Sequence, residues 1–186
     1  MSSWGATDAN ENKPSFLTDA EKRDVYATTK GWVKPAGGNG NASADAEVLV
    51  AIGGLSGATK LNIADISSIN WNTTTYSRAA GGTLTVVVNY NEQVTVTGTP
   101  QLAVVNDSRA NHTLSYASGT NTNRLTFTLV ITAGAAALQA GDILSIGANA
   151  VSLNGGTIKE KGTNVNATIT NVVGIGTAAG TLTAAA

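Results

Sequence analysis

Apolar and polar residues alternate with a period of two along most of the chain after Ser67. Successive side chains of a strand point to opposite faces of a sheet, so this alternation is typical of half-buried β-strands. The polar positions are mostly threonine, which favours strands and tolerates water. The pattern predicts strands at Thr83–Tyr90, Glu92–Thr97, Gln101–Asn106, Asn111–Ala117, Asn123–Ile131, Asp142–Ala148 and Val165–Asn171.

The segments between these strands contain turn residues. Asn154-Gly155 separates two short apolar runs and predicts a two-residue hairpin, because a type I′ turn needs positive φ at both central positions. About seven or eight short strands with such turns predict an all-β fold, an antiparallel Greek-key sandwich over residues 67–175. A small barrel is the alternative. Residues 176–186, whose one bulky side chain is Leu182, are expected to form an extended tail or a single edge strand.

The composition restricts the class of function. Hydrophobic residues make up 42% of the chain but aromatic residues only 5%, which predicts a core of small and β-branched side chains. A formal charge of −1 gives no field that would attract nucleic acid or an anionic membrane, so neither is an expected partner. The absence of cysteine excludes disulfides and thiolate metal sites. No secretory signal and no membrane-spanning stretch is apparent.

The first 46 residues differ from the rest. Two of the three tryptophans and ten of the 23 charged residues lie before residue 36. Thr18 and Glu21 match a capping box, which predicts a helix from Asp19 to about Ala27. The Gly- and Asn-rich stretch 34–46 is typical of a linker. Residues 1–46 are therefore expected to form an extended arm with a short helix, and residues 47–66 a short β segment that belongs either to the arm or to the main domain.

The aromatic residues of this arm are the candidate binding residues. So short a segment is not expected to bury several rings against itself, so the rings are expected to bind another protein. The predicted partner-binding residues are Trp4, Phe16, Tyr26 and Trp32.

Residue types that carry catalysis are sparse. The single histidine, His112, shares a strand face with Leu114 and Tyr116, which favours packing at a sheet margin over acid–base chemistry. No Gly-x-Ser-x-Gly elbow is present, and the carboxylates are well separated. Calcium bound near Asn106–Ser108 and Asp142 is a weak alternative. The chain is expected not to be an enzyme and to need no metal or cofactor.

Two stretches resemble known families. The first consists of Ser3-Trp4-Gly5, Asn12-Lys13-Pro14, Asp24-Val25-Tyr26-Ala27-Thr28 and Gly31-Trp32-Val33. It resembles the start of virion structural proteins of tailed phages, especially those that infect marine cyanobacteria. The second lies within residues 82–171 and includes Tyr90-Asn91-Glu92, Val94–Pro100, Leu114–Gly119, Leu125-Thr126-Phe127, Leu144-Ser145-Ile146 and Leu153–Gly156. It is similar to bacterial immunoglobulin-like repeats of surface and phage proteins.

These resemblances imply a function in a virus particle. The expectation is a capsid decoration, or cement, protein on the outer capsid surface, whose arm binds the major capsid protein and which also associates with itself on the shell. Immunoglobulin-like domains serve several tasks, so the fold alone does not select one. The alternatives are a tail, neck or head-fibre subunit, and an adhesive module that binds glycans through Asn106–Asn111 and an exposed pair formed by Trp71 and Tyr76.

Overall fold

Strands dominate the structure, a computed structural model that describes residues 13–28, 30–41, 43–51 and 63–186. Strands account for 45% of the described residues and helices for 7%, so the predicted all-β class is confirmed. The sheets contain both antiparallel and parallel strand pairs. Two separate clusters of buried apolar residues, one in each part of the chain, form the cores.

The N-terminal part contains a helix and a small antiparallel sheet. Thr18 caps the helix through the predicted box: its hydroxyl accepts from the Glu21 N–H, and the Glu21 carboxylate accepts from the Thr18 N–H at 3.0 Å. The helix is shorter than predicted, because the chain turns extended at Val25. The elements are α1 (Asp19–Asp24), β1 (Tyr26–Thr28), β2 (Gly31–Lys34) and β3 (Glu47–Ala51), with the strands in the order β1-β2-β3.

This sheet buries side chains on both of its faces. Ala27 and Trp32 are cross-strand neighbours and pack with Leu17 and Val25 in the smaller cluster. The next pair along, Tyr26 and Val33, points to the opposite face and is also buried, outside that cluster. We call residues 13–51, as far as they are described, the N-terminal unit.

The remaining elements form the main domain around the larger cluster. The strand order is β12-β6-β9-β8-β7-β10-β13-β5, with β4 paired to β6 and β11 paired to β7. These elements are β4 (Ile66–Trp71), β5 (Tyr76–Ser77), β6 (Gly82–Thr97), β7 (Gln101–Asn106), β8 (His112–Ser118), β9 (Thr122–Ile131), β10 (Ile143–Ser145), β11 (Val151–Ser152), β12 (Thr157–Glu160), α2 (Val173–Thr177) and β13 (Leu182–Ala185).

Strand β6 is one long element where the sequence predicted two strands. Its inward residues, among them Val86 and Val88, are fully buried, as the alternation predicted. Its register against β9 shifts between Asn89 and Val94, where four residues of β6 lie opposite Asn123 alone. An irregularity of this kind lets a strand bend without ending, which is why the polar residues around position 91 do not mark a loop.

The outward face of β6 is covered as well. Val87 and Asn89 point away from the main core yet are 4% and 2% exposed. Strand β1 lies against β6, and the Tyr26 face of the N-terminal sheet is buried. We infer that the N-terminal unit packs on the outer surface of the main domain through this face.

The Asn154-Gly155 turn has the predicted backbone but does not close a hairpin. Both residues have positive φ, 46° and 76°. The strands on either side pair elsewhere, β11 with β7 and β12 with β6, so the hairpin prediction is wrong. Gly156 lies so close to Thr97 that a Cβ would overlap its carbonyl oxygen. The turn is thus fixed by tertiary packing and leads the chain from its pairing with β7 to its pairing with β6 in the same sheet.

The last strand is not an extended tail or an edge. Strand β13 pairs antiparallel with β10 and parallel with β5, so it has a neighbour on each side. Its side chains Leu182 and Ala184 are buried in the main core. Alternation over only four residues was too short a signal for the sequence to predict a strand inside the sheet.

Candidate functional site

Phe16 is the one predicted binding residue whose side chain is shown to be on the surface. It is 68% exposed and lies in a tight turn in which the Leu17 N–H donates to the Pro14 carbonyl at 3.2 Å. Both residues that close the turn are buried. The turn is therefore anchored on each side, and its aromatic side chain faces solvent at a fixed place.

The base of this turn is joined to α1. The buried ammonium group of Lys13 donates to the carbonyl of Lys22, in the last turn of the helix. Glu21 connects the same helix to β2, because its carboxylate lies 3.5 Å from the Lys34 ammonium. Hydrogen bonds from Thr18 and then the charge of Lys34 lower the pKa of Glu21. These contacts connect α1 both to the turn and to the sheet. We call residues 14–17, with the Phe16 side chain, the Phe16 turn.

Two other predicted binding residues are inside the molecule. Trp32 is 1% exposed and is the largest member of the smaller cluster, and Tyr26 is 8% exposed on the face toward β6. The expectation that the segment has no core of its own is therefore wrong, because three short strands and a helix supply one. Neither ring is accessible to a partner in this fold. The fourth residue, Trp4, lies outside the described residues.

The sequence held a signal that separates Phe16 from the buried rings. The capping box places the helix start at Thr18, and the apolar residue before it, Leu17, packs in the smaller cluster with Val25 and Trp32. Its neighbour Phe16 then points outward, and Pro14 favours a turn. Tyr26 and Trp32 belong instead to strands that pair with each other.

The carboxylate considered for calcium is occupied by protein donors. Asp142 Oδ2 accepts from the Gln139 N–H at 2.9 Å and the Asn106 amide at 3.1 Å, and it lies 3.1 Å from Arg109 Nε. These hydrogen bonds, the Gln139 bond foremost, and the Arg109 charge lower the pKa of Asp142. Donors point at the oxygen that a cation would need. Nowhere in the described ranges do three or more His, Cys, Asp or Glu side chains form a group that could hold a metal ion.

The aromatic pair considered for sugar stacking is not an exposed pair. Tyr76 is 5% exposed, and its hydroxyl donates to the Ile131 carbonyl at 3.3 Å. Trp71 is half-buried against the main core, and its indole N–H donates to the Gly180 carbonyl at 3.3 Å. Stacking on a saccharide needs a free ring face, so this pair does not provide the platform that the adhesive alternative would use.

His112 lies where the sequence placed it. It is 7% exposed and shares a face of β8 with Leu114, which is fully buried. Burial lowers the pKa of His112, and the nearby Asp142 charge opposes that shift. Its ring nitrogen Nε2 lies 3.5 Å from the amide nitrogen of Asn106.

In the part of the chain that the structure describes, no helix has the length and apolarity needed to cross a bilayer. Comparison with models of protein families gives no match, and comparisons with curated proteins and with solved structures give none either.

Proposed function

We propose that this chain is a capsid decoration protein of a tailed phage, which binds the major capsid protein through its N-terminal unit and stands on the outer surface of the shell. We further propose that the main domain is an immunoglobulin-like Greek-key sandwich. The support from the sequence is the resemblance of residues 3–33 to virion structural proteins. The observation that carries the proposal is the Phe16 turn, an exposed aromatic ring on an anchored base.

The proposed contact has a different make-up from the one the sequence predicted. Phe16 is the aromatic anchor that enters a pocket of the shell, and Trp4 contributes from the residues before it. Trp32 packs inside the molecule with Leu17, which closes the turn, and Tyr26 is buried on the opposite face of the sheet. Burying one phenylalanine ring contributes roughly 1.5–3 kcal/mol, and binding to many shell sites adds avidity if copies contact each other. An anchor held rigidly loses little conformational entropy on binding.

A rebinding experiment tests the proposal. Capsids that lack the protein are titrated with purified wild-type chain, Phe16→Ala or Val130→Ala, and bound copies are counted against the major capsid protein. Val130 is a matched control, because it is 71% exposed but lies on β9 of the main domain. We expect Phe16→Ala to weaken binding by about tenfold or more, since 1.4 kcal/mol corresponds to a factor of ten, and Val130→Ala to bind as wild type.

Three outcomes contradict the proposal. If Phe16→Ala saturates capsids at the wild-type concentration, the Phe16 turn is not the anchor. If wild-type protein in mature particles is present in only a few copies per capsid, the chain belongs to a tail, neck or fibre. If it is absent from particles and instead binds host saccharide, the adhesive alternative replaces the capsid function.

A further inference from the structure

A buried polar cluster lies under the loop between β7 and β8 and contains the only histidine of the chain. Asn106, His112 and Asp142 are 5%, 7% and 4% exposed. Arg109 closes the cluster from the loop, with Nε 3.1 Å from the Asp142 carboxylate. We call these four residues the His112 cluster.

The orientation of the Asn106 amide is fixed by two hydrogen bonds. Its Oδ1 accepts from the Ser108 N–H at 3.0 Å, and its Nδ2 donates to Asp142 Oδ2 at 3.1 Å. Flipping the amide would break both bonds, so the network assigns the nitrogen to the side that faces His112. With the amide nitrogen 3.5 Å from His112 Nε2, this arrangement favours a lone pair on Nε2, which corresponds to a neutral ring with its proton on Nδ1.

The same cluster holds the C-terminal strand. Asp142 fixes the turn before β10 through the bond from the Gln139 N–H. The backbone of that turn is bonded to β13: the Ala184 N–H donates to the Asp142 carbonyl at 3.0 Å, and the Gly141 N–H donates to the Ala184 carbonyl at 2.7 Å. Only Leu182 and Ala184 anchor β13 in the core. A change in the hydrogen bonds of Asp142 should therefore weaken the attachment of β13, which few apolar contacts hold in place.

We propose that the His112 cluster is an acid-sensitive latch: protonation of His112 breaks the Asn106–Asp142 network and releases β13 from its place between β10 and β5. A protonated ring would turn an N–H toward the Asn106 amide hydrogens, which leaves two donors facing each other in a buried site.

The charges around the ring do not compensate. Asp142, from the turn before β10, favours the protonated ring, but its carboxylate already pairs with Arg109. Asp107, from the β7–β8 loop, is engaged with the Ile143 N–H at 3.0 Å and the Ser108 hydroxyl at 2.9 Å. The net direction is a lowered pKa of His112, with burial as the main cause. The folded cluster thus favours the neutral ring, and the open form takes up the proton.

Hydrogen exchange measured against pH tests the latch on the whole chain. The reporters are the amides of Gly141 and Ala184, whose hydrogen bonds join the turn and the strand. Amides of the β6–β9 pair, such as Val86 and Phe127, are the reference. Below about pH 6.5, the ordinary pKa of histidine, we expect the protection factors of the reporters to fall by up to about tenfold per pH unit, while the reference amides stay protected.

Two further measurements separate His112 from Asp142. His112→Gln cannot take up a proton and keeps an acceptor oxygen, so its reporter protection should stay flat between pH 7.5 and 5. A fall confined to pH below 3.8, the ordinary value for Asp142, would assign opening to the carboxylate and overturn the proposal. Nitrogen NMR of the single imidazole in the unmodified chain gives an independent check, because an Nε2–H tautomer at pH 7.5 would also overturn it.

Discussion

Replacing Trp32 by alanine should open the N-terminal unit without unfolding the main domain. Trp32 is 1% exposed, and among the described residues its cluster has only three other buried members, Leu17, Val25 and Ala27. Truncating a buried tryptophan to alanine costs about 3–5 kcal/mol, because transfer free energy is lost and a cavity remains. So small a cluster has little stability in reserve. The opening equilibrium of β1 and β2 should therefore rise by at least about 100-fold.

Native-state hydrogen exchange at constant pH measures this opening residue by residue. We expect amides within Tyr26–Thr28 and Gly31–Lys34 to lose about 100-fold or more in protection, and amides of β9 to keep theirs. Trp32→Phe is the matched control. The indole N–H of Trp32 is buried and has no hydrogen-bond partner among the described residues, so phenylalanine keeps most of the apolar contact and removes a costly donor.

The control should lose less than about 1.5 kcal/mol. Unchanged protection of β1 and β2 in Trp32→Ala would refute the internal role of this ring. Trp32 would then again be a candidate partner-binding residue. Equal loss in β9 would show that the two clusters unfold together.

Three further perturbations follow from the structure. Gly176→Ala should destabilise the fold by about 1–3 kcal/mol in denaturant unfolding, because a Cβ there would meet the Gly147 carbonyl oxygen at 2.7 Å, whereas Gly174→Ala in the same helix meets nothing within 4 Å and should be neutral or stabilising. Phe127→Ala should cost about 3–5 kcal/mol, since Phe127 is fully buried and its ring stacks edge-on with Tyr116 at 6.0 Å; loss below 1 kcal/mol would contradict this packing. The lowered pKa of Asp142 means that its contribution to stability is present above 3.8 and is lost as the pH falls through the lower folded-state value, so Asp142→Asn should flatten the acid limb of a pH–stability curve.

Most of the periodic part of the fold could be predicted from the sequence, but the strand predicted at Val165–Asn171 is wrong, because that segment forms only an isolated bridge between Asn166 and Lys159. Leu84, Val88 and Phe127 are buried as their two-residue spacing required, and the Thr18–Glu21 capping box starts α1. These signals are local, because each depends on a few neighbouring residues. The local conformation of Asn154-Gly155 followed from the same kind of signal.

The remaining features depend on contacts between distant residues. The turn at Asn154 forms, but the partners of β11 and β12 are chosen by the sheet around them. The sequence predicts that Trp32 binds another protein, because the pairing of β2 with β1 and β3, which buries the ring, is not visible in it. The sequence grouped Asn106 with Asp142 only as an alternative calcium site, and their hydrogen bond across 36 positions, with His112 beside it, is seen only in the fold. Long-range pairing of this kind is not visible in a periodic pattern.

The position of β13 has a consequence for synthesis on the ribosome. Strand β5 pairs with β13, and Ser77 bonds a residue 109 positions later in the chain. At roughly 5–20 residues per second, translation leaves about 5–20 s during which β5 has been made but its partner has not. Throughout that interval the β5 edge lacks its neighbour, and the β10 edge lacks the same neighbour from the synthesis of Ser145 onward. Such edges are where nascent chains pair wrongly. Slow translation between β5 and β13 would lengthen this interval, and we expect it to raise the fraction of misfolded chains.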